Sequence, residues 1–293
     1  MKNHFFISTL AAAALLGGLT ACNSKLDKAP RADQVPENAV RITASIGNPF
    51  AATRSMPLGT EDEQGKFKEG DEIFVRTFSS QRATYRFDGT AWVPKEGEYL
   101  LWKWNDDSFD AYYPAEWGLA VVDGVSYAHP HPTDQSSTEK IAKADVMQGS
   151  LNKAKTKEAL HFTMRRLTTR LIVEIAGFKS EFPGDAKVEK VRFHNKNSFS
   201  SFLQATYIPY AKGEGKTGST YTVLVPGDAM NNTISLEVGG KTMTAKLSEI
   251  TYDAGKSYTY RLTVGKEKLE TTEVTVSDWT GSAVIPGGEA EAN

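Results

Sequence analysis

From Val40 the chain settles into a period of two. Val40, Ile42, Ala44 and Ile46 alternate with Arg41, Thr43 and Ser45, the pattern of a strand with one buried face. Ile73-Phe74-Val75, after Gly70-Asp71, predicts the next strand. Residues 84–87 and 90–93 flank Asp88-Gly89, a pair suited to a two-residue hairpin turn because both central residues need positive φ. That register sets Phe87 opposite Thr90 and Tyr85 opposite Trp92, on one face. Residues 99–104 and 109–113 read as two further strands, and Asp123-Gly124 predicts a second hairpin over 120–127. A proline-bearing loop, HPHPTDQSSTEK, then interrupts the pattern, followed by a stretch that reads as a short helical turn or a linker.

Alternation resumes with Leu160, Phe162 and Met164, and again with Leu171, Val173 and Ile175. Residues 187–194 and 221–225 are further strands. Around Gly239-Gly240 the pattern and the turn chemistry agree: Val238 pairs Lys241, Leu236 pairs Met243, and Ile234 pairs Ala245. Tyr258, Tyr260, Leu262 and Val264 alternate, as do Val274 and Val276 before Trp279. Many short strands without a long amphipathic helix predict an all-β chain of two tandem β-sandwich domains, over residues 40–157 and 158–279, with a tail over 280–293.

The first residues follow another logic. Lys2 and His4 precede an apolar run over 5–19, and Leu19-Thr20-Ala21-Cys22 closes it. The run has the length of a signal-peptide core and is short for a membrane span. Small residues ahead of a lone cysteine resemble the bacterial lipobox, so residues 1–21 are expected to be a lipoprotein signal and Cys22 the lipidated first mature residue. Several acyl chains hold a protein durably on a membrane. Residues 22–39, polar and carrying Pro30 and Pro36, read as a tether.

Composition narrows the function classes. The 293 residues carry a formal net charge of −2 and one cysteine. This leaves no electrostatic footprint for nucleic acid and no thiol pair for a disulfide. No nucleophile elbow, zinc-protease or phosphate-loop pattern occurs, so no catalytic residue, metal or cofactor is expected. His129-Pro130-His131 lacks further ligands for a metal, and His161 and His194 lie far apart in sequence within strands. Asp106, Asp107 and Asp110 read as turn residues. Trp102 and Trp104 lie two apart on one strand face. They are either core or a platform for stacking sugars, which would make the chain a surface glycan-binding lipoprotein.

The order of short motifs resembles the Bacteroidetes fimbrillins, lipoprotein precursors of a class of pilus. The residues concerned are Phe67-Lys68-Glu69-Gly70-Asp71-Glu72-Ile73, Phe109-Asp110-Ala111-Tyr112-Tyr113-Pro114, and Thr133-Asp134-Gln135-Ser136 followed by Ala144-Asp145-Val146-Met147. The series continues with Leu160-His161-Phe162-Thr163-Met164, Leu224-Val225-Pro226, Gly255 to Tyr260, and Val276-Ser277-Asp278-Trp279. Met164 stands where family members often carry histidine, and the residues after Cys22 lack an acidic export cluster.

The resemblance implies transthyretin-like, Greek-key sandwiches in a fimbrial subunit or accessory anchor of the outer membrane or cell surface. Its partners would be other fimbrial subunits, outer-membrane lipid through Cys22, and host or bacterial surface ligands. It further implies proteolysis at an arginine, here Arg54-Ser55, which would remove the first strand. The groove left by Ile42, Ala44 and Ile46 would take a neighbour's strand, with Val274 to Val276 or Ala283-Val284-Ile285 as donors.

Overall fold

Inward alternation drives the first region to curl one sheet around a single core. A computed structural model describes residues 35–47, 65–103, 107–122, 131–197, 200–227, 230–247, 252–265, 268–278, 281–286 and 289–291. The first sheet contains β1 (Ile42–Ile46), β2 (Glu72–Thr77), β3 (Arg82–Phe87), β4 (Trp92–Pro94), β5 (Ser108–Tyr113), β6 (Met147–Asn152) and β7 (Leu160–Arg166). Their order is β1-β7-β6-β5-β2-β3-β4. Ile42, Val75, Tyr85, Trp92, Phe109 and Phe162 contribute to the core it encloses. Two short helices accompany it, α1 (Ala115–Val122) and α2 (Thr138–Lys143).

The second region pairs two sheets. One runs β10 (Ser200–Tyr207), β9 (Val188–Asn197), β13 (Met230–Val238), β14 (Lys241–Lys246). The other runs β11 (Tyr210–Lys212), β12 (Thr220–Pro226), β8 (Thr168–Phe178), β15 (Ser257–Val264), β16 (Lys268–Asp278), β17 (Gly281–Pro286). A last strand, β18 (Glu289–Glu291), also pairs with β16. Val173, Val223 and Tyr260 from one sheet meet Phe193, Ile234 and Leu236 from the other in a shared core. This is a sandwich, and the chain is all-β apart from its short helices.

The Gly239-Gly240 hairpin has the expected register, Val238↔Lys241, Leu236↔Met243 and Ile234↔Ala245. Both glycines have positive φ, 57° and 80°. The Asp88-Gly89 hairpin differs. Its observed pairs are Phe87↔Trp92 and Tyr85↔Pro94, two residues away from expectation. Asp88 Oδ1 accepts from the Thr90 and Ala91 backbone amides at 2.8 and 2.7 Å, which holds a four-residue loop open. A slip of two preserves side-chain parity, so Phe87 and Trp92 still share a face, ring centroids 5.3 Å apart.

Three other expectations change. Residues 120–122 end α1 rather than opening a hairpin, and Asp123-Gly124 lies outside the described residues. Residues 99–103 form only an isolated bridge, Ala39↔Leu101. The Leu160–Arg166 strand, expected to open the second domain, joins the first sheet: β7 pairs with β1 and β6.

Candidate strand-exchange site

The alternation that makes β1 a strand also fixes its two edges. β1 runs parallel to β7, from Ile42↔Leu160 to Ile46↔Met164. Leu160 N–H donates to Arg41 C=O at 2.8 Å, and Gly47 N–H to Met164 C=O at 2.8 Å. In a parallel ladder these bonds fall on alternate residues, so the odd-numbered residues face β7. The backbone groups of Ile42, Ala44 and Ile46 therefore point the other way, and β1 ends the sheet. Their side chains face the core, with Ile42 buried and Ala44 and Ile46 half-buried. Residues Ile42, Ala44 and Ile46 thus stand together on one face, as the alternation predicts.

Three polar devices hold the strand. Just before β1 the chain pairs antiparallel with residues 100–102, through Val40 N–H to Leu100 C=O at 2.7 Å and Trp102 N–H to Asn38 C=O at 2.8 Å. Tyr85, fully buried, then donates its hydroxyl to Val40 C=O at 2.9 Å and accepts the Leu100 amide at 3.2 Å. Burial pushes the Tyr85 phenol well above its ordinary range, so it remains the neutral donor this bridge needs. On the outer face His161 lies between two β1 hydroxyls, its Nδ1 3.0 Å from Thr43 Oγ1 and its Nε2 3.0 Å from Ser45 Oγ.

Residues from separate motifs converge at the far end of β1. Ile46, Phe67, Asp71, Tyr113, Asp145 and Arg166 line a pocket of about 110 Å³. Tyr113 donates its hydroxyl to Asp71 Oδ1 at 3.1 Å, and Lys68 N–H donates to Asp71 Oδ2 at 2.7 Å. Burial raises the Asp71 pKa despite both bonds. Arg166 clasps Asp145 through Nε and Nη2, at 2.8 and 2.9 Å, with the guanidinium almost fully enclosed.

A second motif secures the other region. Gln135, fully buried, donates its side-chain amide to Leu224 C=O at 2.8 Å and accepts Leu224 N–H at 2.7 Å. Its own backbone N–H donates to Ile208 C=O at 2.9 Å. Ser137 caps α2 by accepting Lys140 N–H, and Ile141 and Ala144 pack on Leu224. Asp134, salt-bridged to Lys140 at 2.6 Å and bonded to Ser136, has its pKa held down at about 2. Nothing in the residue types of the Thr133 to Ser136 stretch signalled a side chain acting as a strand.

The remaining candidates disperse. Cys22, Arg54, Ser55, Trp104 and His129 lie outside the described residues. Trp102 is 6% exposed and packs edge-on against Phe109 at 5.3 Å, so it belongs to the core and offers no stacking face. His194 lies between Thr206 and Ser235 hydroxyls, its pKa lowered by burial. Asp110 pairs with Arg76 at 3.1 Å. Val274 to Val276 sit in β16, paired on both sides by β15 and β17, whereas Ala283 to Ile285 sit in β17 at the edge of its sheet. Among the described residues no group of three or more His, Cys, Asp or Glu could hold a metal ion, and no helix is long and apolar enough to cross a membrane.

A profile of the family described as fimbrillin-like matches residues 58–279. Comparison with curated protein sequences finds no match. Among solved structures, a candidate cell adhesion protein from Bacteroides ovatus superposes with a TM-score of 0.52 at 12% identity, over 87% of this chain and 98% of that one. At that identity the likeness bears on the fold alone. A candidate cell adhesion protein from Bacteroides uniformis gives 0.48 at 16% identity, over 86% and 99%. A fimbrial protein from Bacteroides ovatus gives 0.47 at 17% identity, over 78% of this chain and 48% of that one, so this chain spans about half the length of that protein.

Proposed function

Because the chain belongs to the fimbrillin-like family, we propose that it is a non-enzymatic structural subunit or anchor of a surface fimbria, assembled by exchange of its first strand. Membership of the family supports a position at the cell surface or in a fimbrium and assembly with other fimbrial subunits. Lipid on Cys22 would tether the precursor to the outer membrane, and cleavage at Arg54-Ser55 would release residues 22–54, β1 included. The two hydrophobic cores are taken as two domains, divided at Leu167 between β7 and β8.

The observation that carries this reading is the position of β1. It is a terminal strand with one ladder neighbour, yet it delivers Ile42 to the core. Losing it would re-expose Ile42 at about 1.5–3 kcal/mol and leave the β7 edge unpaired, a drive toward strand addition. Edge strand β17 is the better placed donor, because freeing it breaks one ladder rather than the two that flank Val274 to Val276 in β16.

N-terminal sequencing of the protein recovered from surface filaments tests the proposal. Ser55 as first residue identifies an exchanging subunit, and an acylated Cys22 an anchor that keeps β1. Absence from filaments overturns the fimbrial role. Fatty-acid labelling that persists in Cys22→Ser would overturn the lipid anchor separately.

A further inference from the structure

Phe78 is 85% exposed, far more than any other large hydrophobic residue described. It stands in the turn between β2 and β3, and that turn is stiff. Thr77 N–H donates to Gln81 C=O at 2.9 Å, Ser80 N–H to Thr77 C=O at 3.1 Å, and Phe78 N–H to Ser108 C=O at 3.2 Å. The Thr77 hydroxyl meets Ser79 Oγ at 3.1 Å and accepts Gln81 N–H at 3.2 Å. Ser80 takes a positive φ of 67° to close the loop. An apolar ring is thus presented to solvent on a backbone that has already lost its freedom, which lowers the entropic cost of docking it.

The opposite end of β3 borders an open groove. Ile42, Ala44, Phe87, Ala91, Trp92 and Tyr99 line its volume of about 360 Å³. That volume is at the small end of the roughly 300–1,000 Å³ typical of ligand-enclosing sites, and suits one aromatic side chain. Trp92 is only 9% exposed, with the Phe67 and Phe87 ring centroids 5.0 and 5.3 Å away, so little of its ring is open for stacking a sugar. Arg41, Thr43 and Thr90 add a polar fringe to the mainly apolar lining.

We propose that the groove receives Phe78 of a second copy of this chain. Knob and groove lie at the two ends of β3, about 17 Å apart at the rise of an extended strand, so one molecule cannot satisfy itself. Such a contact is heterologous: each copy offers a knob at one end and a groove at the other, and the contact propagates into a row. Its size sets its strength. A buried phenylalanine covers about 150–250 Å², against roughly 800 Å² per partner in a standard stable interface. The contact is too small to hold two free molecules firmly and acts where copies are concentrated or already aligned. It needs neither cleavage at Arg54 nor exchange of β1, since both halves exist in the uncleaved chain.

The test uses the purified uncleaved chain, followed by sedimentation across a wide concentration range, with thermal melts to confirm folding. Phe78→Ser removes the knob, and Ala91→Trp fills the groove from an exposed position; Ala91→Phe serves if the larger ring perturbs folding. Each variant alone is expected to self-associate at least about tenfold more weakly, the loss of a buried aromatic anchor. A mixture of the two is expected to form one-to-one complexes and no larger species, because one retains the groove and the other the knob. Native chain that stays monomeric at millimolar concentration would overturn the proposal. So would a groove-filled variant that associates as well as native, or a mixture that fails to pair.

Discussion

At Leu224 the outer edge of β12 has lost its neighbour, since β11 pairs only as far as Thr222. Gln135 fills that place, its side-chain amide taking both backbone groups of Leu224 while its own N–H holds Ile208. At β1 the outward backbone groups of Ile42, Ala44 and Ile46 have no such plug among the described residues, and the strand is retained by contacts at its start and on its face. An unpaired edge invites strand addition. One region therefore spends a buried side chain to close its edge, while the other leaves its edge available. The difference teaches that edge protection can be assigned strand by strand within one chain.

Four measurements would break or sharpen that contrast. The largest effect is expected at the join between the two regions. Asp145→Ala leaves the enclosed Arg166 guanidinium without its carboxylate and should cost about 3–5 kcal/mol in denaturant unfolding; a loss under about 1 kcal/mol would remove the buried pair from the account. Next, Gln135→Ala strands the amide and carbonyl of Leu224, each worth about 1–3 kcal/mol when buried and unpaired. Hydrogen exchange at the Leu224 amide should accelerate with it. Unchanged exchange there would show that the plug does not protect the edge.

Tyr85→Phe removes the hydroxyl bridge between Val40 and Leu100 and should cost about 1–3 kcal/mol, with faster exchange confined to Leu100 and the start of β1. Global acceleration instead would mean that β1 is no more separable than β12. The smallest effect concerns pH. Asp71 has a raised folded-state pKa, mainly from burial, so the folded chain holds its proton more tightly than the unfolded chain. Its stabilising contribution is full below the ordinary value of 3.8 and is lost as pH rises through the raised pKa. Native stability relative to Asp71→Asn should therefore decline as pH rises from about 3 to neutrality. A difference that grows over that range would contradict the burial of this carboxylate beside β1.

Much of this architecture was legible where side-chain period and turn chemistry point the same way. The Gly239-Gly240 hairpin is the clearest case, because two residues of positive φ leave one turn and one register. At Asp88 the same reasoning failed by two residues, since the Asp88 carboxylate captures the Thr90 and Ala91 amides and lengthens the loop. Short apolar stretches misled for another reason. Residues 120–122 and 99–103 contain enough aliphatic and aromatic residues to suggest strands, yet the first end a helix and the second form an irregular crossing. For the site, the inward face of β1 followed from its alternation. The functions of Tyr85 and Gln135 did not, because each depends on a backbone group distant in sequence that no local pattern identifies.

The parallel pairing of β1 with β7 has a mechanical consequence. A pull on the chain ahead of Asn38, directed along β1, loads the ladder bonds to β7 and those to Leu100 and Trp102 together, as a lap joint is loaded in shear. A pull outward on the Gly47 side instead opens the ladder one bond at a time, beginning with Gly47 N–H to Met164 C=O. The same strand should thus resist tension applied through its leading end far better than peeling from its trailing end, a directional catch that force spectroscopy from the two attachment points would register as unequal rupture forces.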